Sequence, residues 1–423
     1  MLIEIILFMF LGILFGTFTG LIPGIHTNLL STIILSLSAS AFFFLEPIYL
    51  IALITSMAIT HTFVSFIPSV FLGCPDTDTE LSVLPGHEML KRGQGQEAIT
   101  LASYGGLLAI IILIIIAFPS SKIIPPVYSF LSKNLLLTEN ISISIMALFL
   151  ILISTLLISL EKKKSLALLV FFLTGALGFG VLNLNLNEPL LPLLTGLFGA
   201  SMLLMTIKTK TQIPKQNTEN QKPALKEMTS PLANAFLGSF VASPLLSLLP
   251  GLGSGQAAII GDTLSRKLGK SFEDKETTQK DFLVLLGATN TLVMGFSFVA
   301  LYLVSRTRTG AAAAIEQIAG EITPPLFIMI LIITVLSGTI SFFITLNLSG
   351  HISKKINSIN YTKISMITLT SLIMIIALVS GIKGIAVLAI STLTGIYCIS
   401  LGVRRTNMMG CLLLPTIIFY LRI

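Results

Sequence analysis

The chain has 423 residues, of which 54% are hydrophobic and 11% are charged. Soluble domains carry about 25% charged residues, so this composition excludes a soluble globular protein and predicts a multi-pass protein of the cell membrane. The net charge of +7 lies in short loops without interleaved aromatic residues. It therefore indicates orientation in the membrane and argues against nucleic-acid binding.

Apolar stretches follow one another along both halves of the chain. A helix needs roughly 17–25 apolar residues to cross a membrane, and the first half has candidates at 2–22, 28–45, 48–72, 98–118, 141–160, 165–182 and 190–207. The second half has candidates at 232–249, 256–268, 281–305, 323–347, 364–381, 384–402 and 407–421. We predict a first membrane repeat over 1–207, a polar cytoplasmic linker over 208–230 and a second, inverted membrane repeat over 231–423.

Each half begins with a similar sequence motif, in which a Pro-Gly pair interrupts an apolar segment. The first is FLGILFGTFTGLIPGIHTN (Phe10 to Asn28) and the second is FLGSFVASPLLSLLPGLGSGQ (Phe236 to Gln256). Lipid cannot satisfy the backbone groups that such a break exposes, so breaks occur where they line a cavity or are buried in protein. Paired interrupted segments point to the substrate site of a transporter. The alternative is that each Pro-Gly pair only turns the chain between two spans.

The topology follows from segment length and charge. Segment 256–268 is too short to span and carries Asp262 and Arg266, so 232–268 is predicted to be a hairpin that enters and leaves on one face. If segment 2–45 also forms a hairpin that enters and leaves on one face, five spans remain in each half. Because five is an odd number, the second repeat then has the opposite orientation in the membrane. We therefore predict an all-α polytopic membrane protein with an inverted-topology repeat, about ten transmembrane helices and two Pro-Gly-broken helical hairpins.

The basic residues agree with this topology. Of the 26 lysines and arginines, 20 fall on the face of the linker, which the positive-inside rule makes cytoplasmic. The exceptions are Lys122, Lys133, Arg306, Arg308, Lys383 and Arg422. Arg306 and Arg308 either attract an anionic substrate or are simple loop residues. Since 28–45 is long enough to cross, the depth of the first break stays open.

The helices that follow the two breaks predict an anion site. If the hairpin tips meet, two helix N-termini converge, and their N–H groups and positive dipole ends favour an anion. Thr27 or Asn28 would cap the first of these helices and Ser254 the second. The predicted substrate-binding residues are Pro23, Gly24, His26, Thr27 and Asn28 in the first half and Gly251, Gly253, Ser254, Gly255 and Gln256 in the second.

A second set of polar residues could bind a coupling ion. Carboxylates, hydroxyls and carbonyls suit Na⁺ or a proton, and Asp76 and Thr77 lie in an acidic stretch whose repeat mate contains Asn290 and Thr291. These four are the predicted coupling-ion or secondary substrate residues. The alternative for the first pair is a solvated loop.

The sequence predicts no catalytic residue, no cofactor and no metal site. Its three cysteines are isolated, GLGSG lacks the Lys-Ser/Thr of a P-loop, and the nucleophile elbow and HExxH motifs are absent. His61 and His87 are expected to be structural. The chain is therefore not expected to be an enzyme.

Three stretches resemble the large permease subunit of tripartite tricarboxylate transporters, in particular its short archaeal members. They are GLIPGIHTN, LPGHEMLKRGQGQEAITLASYGG (Leu84 to Gly106) and LLPGLGSGQ. The resemblance implies a Pro-Gly break in each half, a small membrane subunit and an extracytoplasmic binding protein as partners. The chain departs from the family in FIPSVFLGCPDTDTE and around Thr289-Asn290-Thr291, so the resemblance does not fix a citrate-type substrate.

Together these features predict a secondary active transporter that moves a small organic anion coupled to Na⁺ or H⁺. A carboxylate is the first candidate for this anion. Two other functions remain open. One is a translocase of a lipid-linked phosphate, because helix N-termini bind phosphate equally well. The other is a non-transporting membrane scaffold subunit.

Overall fold

The computed structural model of the chain describes residues 1–22, 27–38, 45–73, 79, 83–138, 141–209, 216, 225–268, 275–356 and 361–421. The first half contains α1 (Leu2–Leu21), α2 (Thr27–Ser38), α3 (Pro47–Val64), α4 (Phe66–Leu72), α5 (Val83–Lys91), α6 (Gly95–Ala117), α7 (Ser120–Leu131), strands β1 (Asn134–Thr138) and β2 (Ile141–Ser144), α8 (Ile145–Ser159), α9 (Lys164–Leu182), α10 (Leu190–Leu194), a π-helical turn (Thr195–Ala200) and α11 (Ser201–Thr209). The second half contains α12 (Leu225–Ser247), α13 (Ser254–Leu268), α14 (Lys275–Val304), α15 (Gly310–Ala319), α16 (Pro324–Ile356), α17 (Tyr361–Ser400), a 3₁₀ turn (Arg405–Met409) and α18 (Gly410–Leu421).

The helices confirm an all-α membrane protein. In the described part of the chain, seven helical stretches are long and apolar enough to cross a membrane: Leu2–Leu21, Pro47–Leu72, Gly95–Ala117, Lys164–Leu182, Thr277–Val304, Pro324–Ile356 and Ser365–Ser400. Shorter apolar helices cover Ile145–Ser159, Leu190–Met205, Pro231–Ser247 and Arg405–Leu421. The total of about ten spans stays a prediction.

Several predicted segments have different bounds in the structure. The predicted helix 141–160 begins as β2, which pairs antiparallel with β1, and becomes helical at Ile145. The predicted boundary between 364–381 and 384–402 is a kink within α17, because Gly381 has a φ of 65°. α12 begins already at Leu225, inside the predicted linker.

Gln216, in the predicted linker, contacts the turn between α5 and α6. This side chain is buried, its Nε2 donates to the carbonyl of Leu90 at 3.0 Å, and its Oε1 accepts from the N–H of Gly95 at 3.0 Å. It therefore satisfies backbone groups in the turn between α5 and α6, where the helices leave them without intrahelical partners.

Glycines allow the central helices to pack closely. Gly12, Gly16 and Gly20 recur every four residues on α1, so they lie on one face of the helix, and a Cβ at each would overlap atoms of α3 or of Ser65 beyond it. At the crossing of α6 and α14, a methyl on Gly105 would overlap the carbonyl of Val284. Small residues that bring backbones together are the usual interface of membrane helices.

Helix packing divides the described chain into two bodies. In the central body, α1 and α16 pack against α3, and α6 and α12 pack against α14. In the lateral body, α9 packs against α18, and α17 packs against α10, the π-helical turn and α11. Side chains join the bodies, since Leu413 and Ile417 of α18 share an apolar cluster with Leu246 of α12 and Ile259 of α13. The candidate site lies where the two bodies meet.

Candidate functional site

A cavity of about 470 Å³ lies at the second Pro-Gly break. One side is formed by the hairpin tip, α14 and the loop between α14 and α15. The other side is formed by α9, α10, the 3₁₀ turn and α18. The lining residues are Leu182, Leu190, Leu194, Ser247, Leu248, Leu249, Pro250, Gly251, Leu252, Gly253, Asn290, Val293, Met294, Arg306, Thr307, Arg308, Thr309, Met409, Leu412 and Thr416.

The hairpin tip supplies backbone to this cavity. α12 ends at Ser247 and α13 begins at Ser254, and Gly251 between them has a φ of 78°, which a residue with a side chain rarely adopts. The Oε1 of the buried Gln256 accepts a hydrogen bond from the N–H of Gly253 at 2.7 Å. This is one half of a capping box. It fixes the start of α13 beside the cavity, a role that the sequence analysis gave to Ser254 alone.

Two arginines bring positive charge to the cavity. The guanidinium of Arg308 donates to the carbonyl of Leu252 in the tip. Arg306 donates to the hydroxyl of Tyr420 at 2.6 Å and lies over the ring of Tyr128, 5.8 Å from its centroid. Among the described residues that line the cavity, none is an aspartate or glutamate. The cavity is therefore suited to an anion.

The loop that carries both arginines is held in place by Thr309. Its Oγ1 accepts from the N–H of Ala312 at 3.2 Å, which caps α15, and lies 3.2 Å from the Oγ of Ser297 on α14. Ser305 has a φ of 47°, an uncommon conformation for a residue other than glycine. The loop thus has a defined conformation, which keeps Arg308 against the tip.

Asn290 connects the cavity with the crossing of α3 and α14. Its Nδ2 donates to the carbonyl of Thr62 at 3.1 Å, and the Oγ1 atoms of Thr62 and Thr291 are 3.0 Å apart. The neighbouring His61 is buried, with its Nδ1 3.0 Å from the Oγ1 of Thr19. Thr19 lies near the end of α1, just before the first Pro-Gly break. The helix that leads into the first break therefore lies beside α3 residues that Asn290 contacts.

The structure places part of the predicted site at the cavity. Gly251, Gly253 and Asn290 line it, and Ser254, Gly255 and Gln256 are buried directly behind the tip. Thr291 is buried in the contact with α3, and Thr27 is buried at the start of α2. Pro23, Gly24, His26, Asp76 and Thr77, and the side chain of Asn28, lie outside the described residues.

Arg308 lines the cavity, although the sequence analysis did not include it among the predicted substrate-binding residues. A signal was present in the sequence, because the predicted topology puts both loop arginines on the face that is otherwise poor in basic residues. The contact between Arg308 and Leu252 could not be predicted from the sequence, because the two residues are 56 positions apart. His87, which the sequence analysis expected to be structural, is half-buried: its Nδ1 is 3.1 Å from the carbonyl of Val70, and burial lowers its pKa despite that hydrogen bond.

Comparison with known proteins agrees with the sequence resemblance. The chain is 32% identical over 425 residues, 99% of each chain, to a protein of Methanocaldococcus jannaschii that is described as uncharacterized. No solved structure matches the chain. Residues 6–410 match the model of the tripartite tricarboxylate transporter TctA family, a range that includes both Pro-Gly breaks and the arginine loop. The resemblance is thereby confirmed, and the chain belongs to the TctA family, the large subunit of tripartite tricarboxylate transporters.

Proposed function

We propose that this chain is a secondary active transporter that moves a small organic anion coupled to Na⁺ or H⁺, and that this anion is a carboxylate. Family membership makes it a multi-pass membrane component of a tripartite transporter. The observation that carries the finer proposal is the cavity at the second break, where Arg308 lies against the tip that leads into α13 and no described lining residue is acidic. A guanidinium and helical N–H groups are both carboxylate ligands.

The packing of the helices supports the inverted repeat. α1 packs against α3 as α12 packs against α14, and α16 packs against α3 as α6 packs against α14. In the lateral body, α18 packs against α9 as α11 packs against α17. Such matched helix pairs are expected when a two-fold axis relates the first half of the chain to the second half. Paired broken helices at the interface of inverted repeats form the substrate sites of many transporters.

The polar contacts between α3 and α14 support a site for the coupling ion. Asn290, Thr291 and Thr62 are all buried in one contact, and buried polar groups within membrane helices are commonly part of ion or substrate pathways. We propose that Asn290 and Thr291, together with Asp76 and Thr77, bind the coupling ion. The partners of the chain are then a small membrane subunit and an extracytoplasmic binding protein.

Uptake into proteoliposomes tests this function. Labelled carboxylates are offered to vesicles that contain the full chain, alone and with its partner subunits, under an imposed inward Na⁺ or H⁺ gradient. We expect gradient-driven accumulation that stops when the gradient is collapsed by an ionophore. Gradient-independent binding of a polyprenyl phosphate, without carboxylate uptake, would instead favour a lipid-linked phosphate translocase. If neither compound moves in the presence of the partners, the chain is a scaffold subunit and the proposal fails.

The topology has a separate test in single-cysteine labelling. In a variant without native cysteines, cysteines at Lys163 and Lys215 should react with an impermeant maleimide from the cytoplasmic face, and one at Lys133 from the opposite face. Lys133 and Lys163 are both exposed, so a failure to react would not follow from burial in protein. Labelling of Lys133 and Lys163 from the same face would contradict the inverted repeat.

A further inference from the structure

The cavity has two chemically different sides. The polar lining residues are concentrated on the side of the tip, α14 and the loop, where Arg306, Thr307, Arg308 and Thr309 follow one another. The apolar lining residues on that side are Leu248, Leu249, Pro250, Leu252, Val293 and Met294. On the side formed by the lateral body, the described lining residues are Leu182, Leu190, Leu194, Met409, Leu412 and Thr416, and Thr416 is the one polar residue among them. An amphipathic cavity selects a ligand whose own polar and apolar ends are separated.

Thr416 does not make the apolar side polar. Its Oγ1 donates to the carbonyl of Leu412 at 2.7 Å within α18. It also lies near the tip, because a Cβ on Gly251 would be 3.2 Å from this oxygen. The hydroxyl hydrogen is therefore already used, and the five hydrophobic side chains determine what the lateral body can accept.

From this asymmetry we infer that the substrate is a monocarboxylate with an apolar body, and that a compact tricarboxylate is excluded. The inference rests on the proposed function and names its substrate class. The carboxylate binds Arg308, whose guanidinium has five N–H donors and so can contact both Leu252 and a ligand. The apolar body lies against Leu194, Met409 and Leu412.

A tricarboxylate fits this arrangement badly. Its carboxylates point in several directions, so at least one would face the leucines and Met409, whose side chains have no hydrogen-bond donor. An ionised carboxylate that loses water without gaining a partner is strongly disfavoured. An apolar group in the same place gains affinity, about fourfold for each buried methylene.

Binding to the purified full chain in nanodiscs tests the substrate class. The probes are 3-phenylpropionate, its neutral amide and tricarballylate, measured by calorimetry. We expect 3-phenylpropionate to bind at least tenfold more tightly than tricarballylate, and at least tenfold more tightly than the amide because the amide lacks the charge. Tighter binding of tricarballylate would overturn the inference and leave the proposed transport of organic anions intact.

A cavity variant and its control separate the two sides. Leu412→Ala removes apolar contact, so affinity for 3-phenylpropionate should fall about tenfold while affinity for acetate changes little. The matched control is Leu156→Ala, at an exposed position on α8 outside the cavity. An equal loss in both variants, or no loss in Leu412→Ala, contradicts the inference. If neither probe anion binds and no anion enters proteoliposomes, the proposed function fails as well.

Discussion

Replacing Arg308 by glutamine is expected to weaken anion binding by about 30- to 100-fold. The guanidinium is a charged side chain in contact with the hairpin tip, and a hydrogen bond to a charged group contributes about 2–3 kcal/mol when its partner would otherwise be left buried. Arg308→Lys keeps the charge but loses the planar fork that binds a carboxylate through two parallel bonds. Its affinity should lie between those of the wild type and Arg308→Gln, as measured by calorimetry with the transported anion.

The control for this prediction is Lys122→Gln, which removes a positive charge at an exposed position on α7, outside the cavity lining. It distinguishes a local contact from a general loss of positive potential. If both variants lose affinity equally, the effect of Arg308 is electrostatic steering. Unchanged affinity in Arg308→Gln would show that the anion binds elsewhere.

Gly287→Ala is expected to destabilise the fold by about 1–3 kcal/mol or more. A methyl at this position on α14 would overlap the backbone carbonyl of Ala102 on α6. Backbone cannot move aside as a flexible side chain can, so the two central helices must separate. The prediction is a thermal midpoint several degrees lower in detergent, together with reduced yield.

Gly180→Ala provides the matched control. Gly180 lies in α9, and a Cβ there would have no atom within 4 Å. Alanine has a higher helix propensity than glycine by about 1 kcal/mol, so this variant should be as stable as the wild type or slightly more stable. If Gly287→Ala is equally stable, the close contact between α6 and α14 is not essential to the fold.

Sequence patterns predicted those features that depend on local chemistry. The Pro-Gly pair at Pro250-Gly251 breaks a helix wherever it occurs, since proline lacks an N–H and Gly251 adopts a positive φ. Apolar runs long enough to cross a membrane are equally local, so α1, α6 and α9 were predicted close to their observed bounds, whereas α16 extends nine residues beyond its predicted end at 347. The same reasoning singled out Gly251, Gly253 and Asn290, which line the cavity.

Features that depend on contacts between distant segments were beyond the sequence. Residues 182 and 412 line one cavity because α9 packs against α18, and no periodicity within either helix encodes that pairing. The contact between Arg308 and Leu252 is hidden for the same reason. β1 and β2 are a further case, because NLLLT and ISIS are apolar enough to continue a helix and become strands by pairing with each other.

The central claim is that the cavity at the second break binds the transported anion, and substrate protection of one cysteine tests it directly. Thr307 lines the cavity beside Arg308. It is replaced by cysteine in a variant whose native cysteines are replaced by alanine. The rate of alkylation by an impermeant maleimide is measured with and without the transported anion, and Lys133→Cys is the control. We predict that the anion slows the reaction at position 307 at least fivefold and leaves position 133 unchanged. An unchanged rate at position 307, at anion concentrations that saturate uptake, would contradict the account.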